Sequence, residues 1–176
     1  MEKPKVISSE IVYRGKVFSV YREKFATSKG IAEIEVVRHK GAVAVLPILN
    51  NGDIILEKQF RYSVNDFLYE VPAGTLEENE PPEVCAKREL LEETGYQADT
   101  LSYITYILMS PGYVDEKIYL YVARVSKKTE AKLEKDEIIE TETHSADEAI
   151  KMIKEGKIID AKTISLILLA KSLGYI

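Results

Sequence analysis

Short apolar or alternating segments, separated by turn residues, predict β-strands along most of this chain. Within the first forty residues, three segments alternate between apolar and polar positions and are separated by glycine-containing breaks. Segment 42–48 is continuously apolar, which is typical of a strand covered on both faces. The sequence NNGD at 50–53 predicts a hairpin turn after it. The predicted strands are residues 7–13, 17–25, 31–38, 42–48, 54–60, 67–71, 101–108, 117–125 and 138–143.

Three segments carry the end signals of α-helices. A proline pair opens segment 82–94 and a glycine follows it, which are favoured positions for these residues. Ser145 and Glu148 form a capping box for a second helix that ends near residue 156. A third helix is predicted over residues 161–173, and its largely buried stripe is expected from Ile164, Leu166, Ile167, Leu168 and Leu169. Together these elements predict the α/β (α+β) class, a mixed β-sheet sandwiched between α-helices with a small N-terminal antiparallel β-sheet.

Residues 1–40 are expected to form a strand annex to a main domain at residues 41–176. At 176 residues and 45% hydrophobic content, the chain is sufficient for one well-buried domain. Three strands alone expose too much edge and apolar surface to be stable. They are therefore expected to pack on the main domain or on a second chain.

Composition and charge exclude several classes of function. No run approaches the roughly 18–20 apolar residues needed to span a bilayer, so no membrane association is expected. The net charge of −5 argues against non-specific nucleic-acid binding. The N-terminus lacks the apolar core of a signal peptide, and the single cysteine, Cys85, has no partner for an internal disulfide. We expect a cytoplasmic protein in which Cys85 is a small core residue.

The helix predicted over residues 82–94 carries a cluster of carboxylates. Glu89, Glu92 and Glu93 stand at spacings of three and four residues, within about one third of the helix circumference. Side chains so placed repel each other by about 0.2–0.5 kcal/mol per pair. A solvated helix face would explain them without any function. The opposing apolar face is expected from Val84, Cys85 and Leu91.

The turn before this helix favours a second explanation for its carboxylates. Pro72-Ala73-Gly74 follows the strand predicted over residues 67–71 and is able to bring backbone carbonyls near the helix. Carboxylate and carbonyl oxygens are ligands that suit Mg²⁺ or Mn²⁺. A bound cation would convert the mutual repulsion into binding energy, so a metal site stands beside the solvated face as an interpretation.

The same residues resemble a known family motif. Gly74, Glu80 and the run RELLEETG at 88–95, separated by five and seven residues, resemble the Nudix box. Every invariant position is filled, and Tyr96 alone departs from the aliphatic residue that is usual there. The likeness extends from about Arg38 to the C-terminus. Similarity to the ADP-ribose pyrophosphatase branch lies in QFRY at 59–62, EVPAG at 70–74, SPGYVDE at 110–116 and Pro111, fifteen residues beyond Tyr96.

This resemblance implies Mg²⁺-dependent hydrolysis of the pyrophosphate bond of ADP-ribose to AMP and ribose 5-phosphate, with Mn²⁺ as a substitute. Another nucleotide sugar or a dinucleoside polyphosphate is the alternative substrate. A non-catalytic nucleotide-binding regulator of the same fold is an alternative of a different class. The intact carboxylate cluster argues against a regulator, because a binding protein would not need clustered ligands.

The resemblance also implies roles for residues of the helix and of an acidic loop. The expected metal ligands are Glu89, Glu93 and the carbonyl of Ala73, with Glu92 as a further ligand or as the group that orients one. Arg88 is expected to pair with Glu92 and fix that carboxylate rather than to contact substrate. The general base is placed in the loop before the last strand. Its candidates there, in order of preference, are Glu137 and Glu134.

Substrate contacts and a dimer complete these expectations. A guanidinium is able to fork onto a phosphate, so Arg61 is a candidate, with a surface salt bridge as the alternative. The N-terminal strands are expected to form a homodimer and complete the partner's substrate site, whereas burial within the same chain is the competing explanation. Expected substrate contacts are Phe18, Arg38, Arg61, Pro111, Asp115 and Glu116.

Overall fold

A computed structural model describes residues 2–176, which form ten β-strands and three α-helices. The strands are β1 (Lys5–Arg14), β2 (Phe18–Thr27), β3 (Gly30–His39), β4 (Ala42–Ile48), β5 (Ile54–Arg61), β6 (Asp66–Glu70), β7 (Ala73–Thr75), β8 (Tyr96–Leu108), β9 (Lys117–Lys128) and β10 (Ile139–His144). The helices are α1 (Pro82–Thr94), α2 (Ala146–Lys154) and α3 (Ala161–Ser172). None of the helices in the described residues has the length and apolar character of a membrane span.

The first compact unit consists of the described residues up to 41 together with segment 108–117. Its strands form an antiparallel sheet in the order β1-β2-β3. Segment 108–117 pairs with the edge of β3, because the Val37 N–H donates to the carbonyl of Tyr113 (2.7 Å) and the Asp115 N–H donates to the carbonyl of Val37 (3.2 Å). This unit therefore includes a segment far along the sequence from the annex expected at residues 1–40.

The second unit, residues 42–107 and 118–176, contains a mixed seven-stranded sheet. Its main path runs β10-β5-β4-β9-β8, and β4 and β9 are parallel. After the turn at 50–53, β4 and β5 pair only at Ile48 and Ile54. Beyond that point β4 pairs with β7, whereas β5 pairs with β6 and β10. Strands β4 and β5 therefore diverge and pair with different neighbours within one sheet.

The core of the second unit lies around β4. All seven residues of β4 are buried because both α1 and α3 contact this strand. One cluster joins Val43 and Val45 of β4 to Ile55 of β5 and to Cys85 and Leu90 of α1. Cys85 is a free, buried thiol in this cluster, as expected. The mixed sheet, the helices and the small antiparallel sheet confirm the predicted fold class.

Three details of the prediction were wrong. Strand β8 begins at Tyr96 rather than at residue 101, and β9 continues to Lys128, into a segment predicted as loop. Gly95, at φ 74°, turns the chain directly from α1 into β8. The prediction for α3 was wrong at Leu168, which was expected in the buried apolar stripe but is 46% exposed. The buried face of α3 is formed by Lys162, Thr163, Leu166, Ile167 and Ala170.

Candidate active site

Helix α1 buries two of its three clustered glutamates. Glu89 is 8% exposed and Glu93 is 3% exposed, while about two fifths of the Glu92 side chain remains exposed. The expected apolar face was correct at Cys85 but wrong at Val84, which is exposed, and the buried apolar residues of α1 lie beside the buried carboxylates rather than opposite them. Those apolar residues are Cys85, Ala86 and Leu90. A solvated face therefore does not account for Glu89 and Glu93.

The turn before α1 lies directly against these carboxylates. The Ala73 N–H donates to Glu93 Oε2 at 2.9 Å. Gly74 lies so close to Glu89 that a Cβ at this position would overlap the Glu89 carboxylate. Glycine is needed here because strand β7 lies very close to helix α1. This close approach places the turn beside the two buried carboxylates.

Arg88 connects three carboxylates around the start and middle of α1. Its Nη1 donates to Glu89 Oε1 at 2.7 Å and to Glu92 Oε2 at 3.1 Å. Its Nε and Nη2 each donate to one oxygen of Glu80 at 2.9 Å. These hydrogen bonds from Arg88 lower the pKa of Glu80 to about 2. The expected pair with Glu92 is present, and the fork on Glu80 fixes the guanidinium.

The buried carboxylates strongly influence one another. Burial raises the pKa of Glu89 to about 7, against the opposing charge of Arg88. Burial, followed by the charges of Glu57 and Glu89, raises the pKa of Glu93 well above its ordinary value. Burial and the charge of Glu70 raise the pKa of Glu57 to about 8. These acids are held close together in a setting that disfavours their ionised forms.

Glu57 is a residue that our sequence analysis missed. It lies on β5, is 1% exposed, and neither of its carboxylate oxygens has a hydrogen-bond partner among residues 2–176. One signal was available in the sequence. Glu57 stands two residues after Ile55 in a strand whose first three residues are apolar, so it lies on the same face as that core residue.

Arg61 belongs to a partly buried ion-pair network. Its Nε and Nη2 donate to the two oxygens of Glu70, both at 2.7 Å. Lys162 also bonds Glu70, and its Nζ lies 3.0 Å from an oxygen of Asp160, the N-cap residue of α3. Although burial opposes ionisation, the hydrogen bond from Arg61 and the charge of Lys162 lower the pKa of Glu70. Arg61 therefore makes a salt bridge, as in the alternative considered for it, but its partner Glu70 is buried rather than on the surface.

The two candidate bases differ in their surroundings. The charge of Glu137 raises the pKa of each of the three buried acids, Glu57, Glu89 and Glu93, although it is not the largest cause in any of them. The Glu134 N–H donates to Glu137 Oε2 at 2.7 Å, and the Glu134 side chain is exposed. Glu137 therefore lies close enough to the carboxylate cluster for its charge to act on it, and the Glu134 N–H holds the Glu137 carboxylate by a hydrogen bond.

The remaining expected substrate contacts lie in the first unit. Arg38 donates to both oxygens of Glu23 (2.8 and 2.9 Å) and to Asp115 Oδ2 (3.1 Å). Phe18 packs against Tyr13, with ring centroids 5.9 Å apart. Glu116 lies 3.5 Å from Nδ1 of His39. Arg38, Asp115 and Pro111 line a cavity of about 470 Å³ within this unit.

The carboxylates fit a divalent cation by the chemistry of their donor atoms. Among residues 2–176, no three acidic, histidine or cysteine side chains are positioned to hold a metal ion together. Glu89 is engaged by Arg88, and Glu93 by the Ala73 N–H. Yet these acids are hard oxygen ligands buried beside Glu57, whose oxygens have no partner among the described residues. A divalent cation would relieve their mutual repulsion.

Buried acids on a helix beside a glycine turn, on a mixed sheet with flanking helices, fit a hydrolase that works with divalent metal ions. A family model described as the NUDIX domain matches residues 38–167. The chain belongs to the Nudix family and is a Nudix hydrolase.

Relatives with recorded functions resemble this chain over most of its length. An ADP-ribose pyrophosphatase of Bacillus subtilis is 41% identical, covering 90% of this chain and 88% of its own. A methanol dehydrogenase activator of Bacillus methanolicus is 40% identical, covering 91% and 88%. A GDP-mannose pyrophosphatase of Yersinia enterocolitica is 36% identical, covering 83% and 82%.

Proposed function

We propose that this Nudix hydrolase cleaves the pyrophosphate bond of ADP-ribose to give AMP and ribose 5-phosphate. The observation that carries the proposal is the burial of Glu89 and Glu93 against the turn at Ala73 and Gly74. Substrate identity is supported by the 41% identity to an ADP-ribose pyrophosphatase across 90% of this chain. The nucleotide-binding regulator is disfavoured because carboxylates are costly to bury without a cation partner.

Glu89, Glu93 and the carbonyl of Ala73 would hold Mg²⁺, with Mn²⁺ as a substitute. A bound cation neutralises charge on the phosphate oxygens and lowers the barrier to attack by water. Glu92 orients this ligand set through its hydrogen bond from Arg88. Arg88 is itself fixed by Glu80, so its role is to position the carboxylates rather than to contact substrate.

Glu137 is the proposed general base, and Glu134 holds it in place. The Glu137 carboxylate takes a proton from water as the water oxygen forms a bond to one phosphorus atom. The bond between that phosphorus and the bridging oxygen breaks, and the bridging oxygen leaves on the other phosphate. No covalent enzyme intermediate is formed. Glu137 is favoured because its charge acts on the buried acids, whereas Glu134 is exposed.

Arg61 is the proposed phosphate contact, because Glu70 holds its guanidinium by two hydrogen bonds on one edge. The proposed contacts to the nucleotide or the terminal ribose are Phe18, Arg38, Pro111, Asp115 and Glu116. Their support is the resemblance of their segments to the ADP-ribose pyrophosphatase branch, together with the cavity lined by Arg38, Pro111 and Asp115.

We further propose that residues 1–40 form the dimerisation annex of a cytoplasmic homodimer, with residues 41–176 as the hydrolase domain. All ten residues of β1 are exposed. Apolar side chains exposed in this way on strands favour a protein partner, and we propose a second copy of the chain. The exposed apolar residues of β1 are Val6, Ile7, Ile11, Val12 and Tyr13. Light scattering should give the mass of two chains, and a monomer with full activity would contradict the dimer.

The buried, unpaired Cys85 accords with the reducing compartment of the proposed cytoplasmic location.

A second candidate substrate is another nucleotide sugar. The GDP-mannose pyrophosphatase relative, 36% identical over 83% of this chain, favours this candidate. It would use the same carboxylates and the same attack by water. The difference would lie in the contacts to the base and to the terminal sugar.

A substrate panel distinguishes these candidates. Purified protein is incubated with Mg²⁺ and ADP-ribose, GDP-mannose or a dinucleoside polyphosphate, and products are separated by ion-exchange chromatography. We expect AMP and ribose 5-phosphate, with the highest kcat/KM for ADP-ribose. Glu93→Gln serves as the control and should lower turnover by at least about 10²-fold. Full activity of Glu93→Gln, or preference for GDP-mannose, would contradict the corresponding part of the proposal.

A further inference from the structure

Glu57 differs from the other buried acids of this unit because, among the described residues, it makes no close ion pair and no side-chain hydrogen bond. Glu89 is held by Arg88, Glu93 by the Ala73 N–H, and Glu70 by Arg61 and Lys162. Both oxygens of Glu57 are buried and without hydrogen-bond partners within residues 2–176. Carboxylates are rarely buried in this condition, because the group loses its hydration and gains nothing in return.

The place of Glu57 in the fold directs it toward the carboxylates of α1. Ile55, two residues earlier on β5, packs in the core cluster with Cys85 and Leu90 of α1. Alternate residues of a strand point to the same face, so Glu57 lies on the side of β5 that meets this helix. Its charge interacts with that of Glu93 on α1. The side chain thus reaches the same region as the proposed cation ligands.

Nearby cations do not neutralise Glu57. Arg61 and Lys162 both attract it electrostatically, but each makes its close ion pair with Glu70 instead. The charges of Glu70 and Glu137 repel it. A divalent cation between Glu57 and the acids of α1 would supply both the missing charge and the missing ligand contact.

We propose that Glu57 is a further carboxylate ligand of the divalent cation held by Glu89 and Glu93. The inference rests on the proposed function only in assuming that those two residues hold a cation. It adds a ligand from β5, which lies outside the 74–96 segment that carries the family motif. The metal site would then include a residue of the central sheet.

Direct measurement of Mn²⁺ binding tests this role without relying on turnover. Metal-free wild type, Glu57→Gln and the matched control Glu140→Gln are titrated with Mn²⁺, and free Mn²⁺ is followed by electron paramagnetic resonance. Glu140 is an exposed acid on the neighbouring strand β10, paired in register with Lys58. We expect Glu57→Gln to weaken Mn²⁺ binding by about 10- to 100-fold, while Glu140→Gln binds like wild type.

Thermal unfolding supplies a second readout on the same proteins. Mn²⁺ should raise the Tm of wild type and of Glu140→Gln, and this increase should shrink or vanish in Glu57→Gln. Glu57→Met, which fills a similar volume without a carboxylate, covers the case in which Glu57→Gln does not fold. Normal Mn²⁺ affinity in either folded variant would overturn the role of Glu57 and leave the proposed function intact. Failure of wild type to bind Mn²⁺ would overturn both.

Discussion

The stability of the metal-free protein should fall as pH rises from about 5.5 to about 7, and Glu57 should cause a definable part of this loss. Its folded-state pKa is raised to about 8 from an ordinary value of 4.5, mainly by burial. Within this window the folded protein keeps the Glu57 proton that the unfolded chain has released. The unfolded chain is therefore favoured progressively as pH rises.

The magnitude follows from proton linkage. One proton retained by the folded state changes the free energy of unfolding by about 1.4 kcal/mol per pH unit. From pH 5.5 to pH 7.0 the loss attributable to Glu57 is therefore about 2 kcal/mol. Glu80 and Glu70 have lowered pKa values, so their contributions are lost only as pH falls below the ordinary carboxylate range.

The assay is urea denaturation of wild type and Glu57→Gln, both stripped of metal, at pH 5.5 and 7.0. The two proteins differ only at position 57, so contributions from groups that do not interact with Glu57 largely cancel in the difference. The stability of Glu57→Gln relative to wild type should rise by about 2 kcal/mol between the two pH values. An equal pH dependence in both proteins would refute the buried-acid reasoning, as would a change of opposite sign.

Three further substitutions test the site. Gly74→Ala places a Cβ onto the Glu89 carboxylate, which must then shift, and we expect at least a tenfold loss of turnover; unchanged activity would contradict the close approach. Lys162→Met removes one of the two cationic side chains that pair with the buried Glu70 carboxylate, and should lower the free energy of unfolding by about 3 kcal/mol. Wild-type stability would show that Arg61 alone is enough to stabilise Glu70. Glu137→Gln should lower kcat by about 10²–10⁴-fold with KM little changed, while Glu134→Gln has a smaller effect; the reverse order would exchange the two roles.

Local signals in the sequence determined helix α1 almost completely. The proline pair and the following glycine predicted residues 82–94, and the structure has Pro82–Thr94. Likewise Ser145 predicted the start of α2, where its hydroxyl accepts the Glu148 N–H. Helix ends are predictable because their unpaired backbone groups are satisfied by residues close in sequence. Continuous apolar strands such as β4 are predictable for a similar reason, since burial on both faces leaves no place for polar side chains.

The partners of the charged side chains depended on the tertiary structure. The sequence placed Arg88 within reach of Glu92, but its fork onto Glu80 requires the loop that folds back over α1. The pairing of Lys162 with Glu70 joins residues 92 positions apart. No spacing rule links such positions, because the contact depends on how α3 packs against β6.

The burial of the carboxylates was decided by packing as well. The spacing of Glu89 and Glu93 alone left both a solvated face and a metal site open, and only its position two residues after the apolar Ile55 marked Glu57. The structure turns the glutamate face of α1 inward and leaves Val84 exposed. A sequence determines which residues share a face of an element, because that depends on local geometry. Which face is buried depends on what packs against the element, and in this protein the packing gathers acidic side chains where we propose that a divalent cation is held.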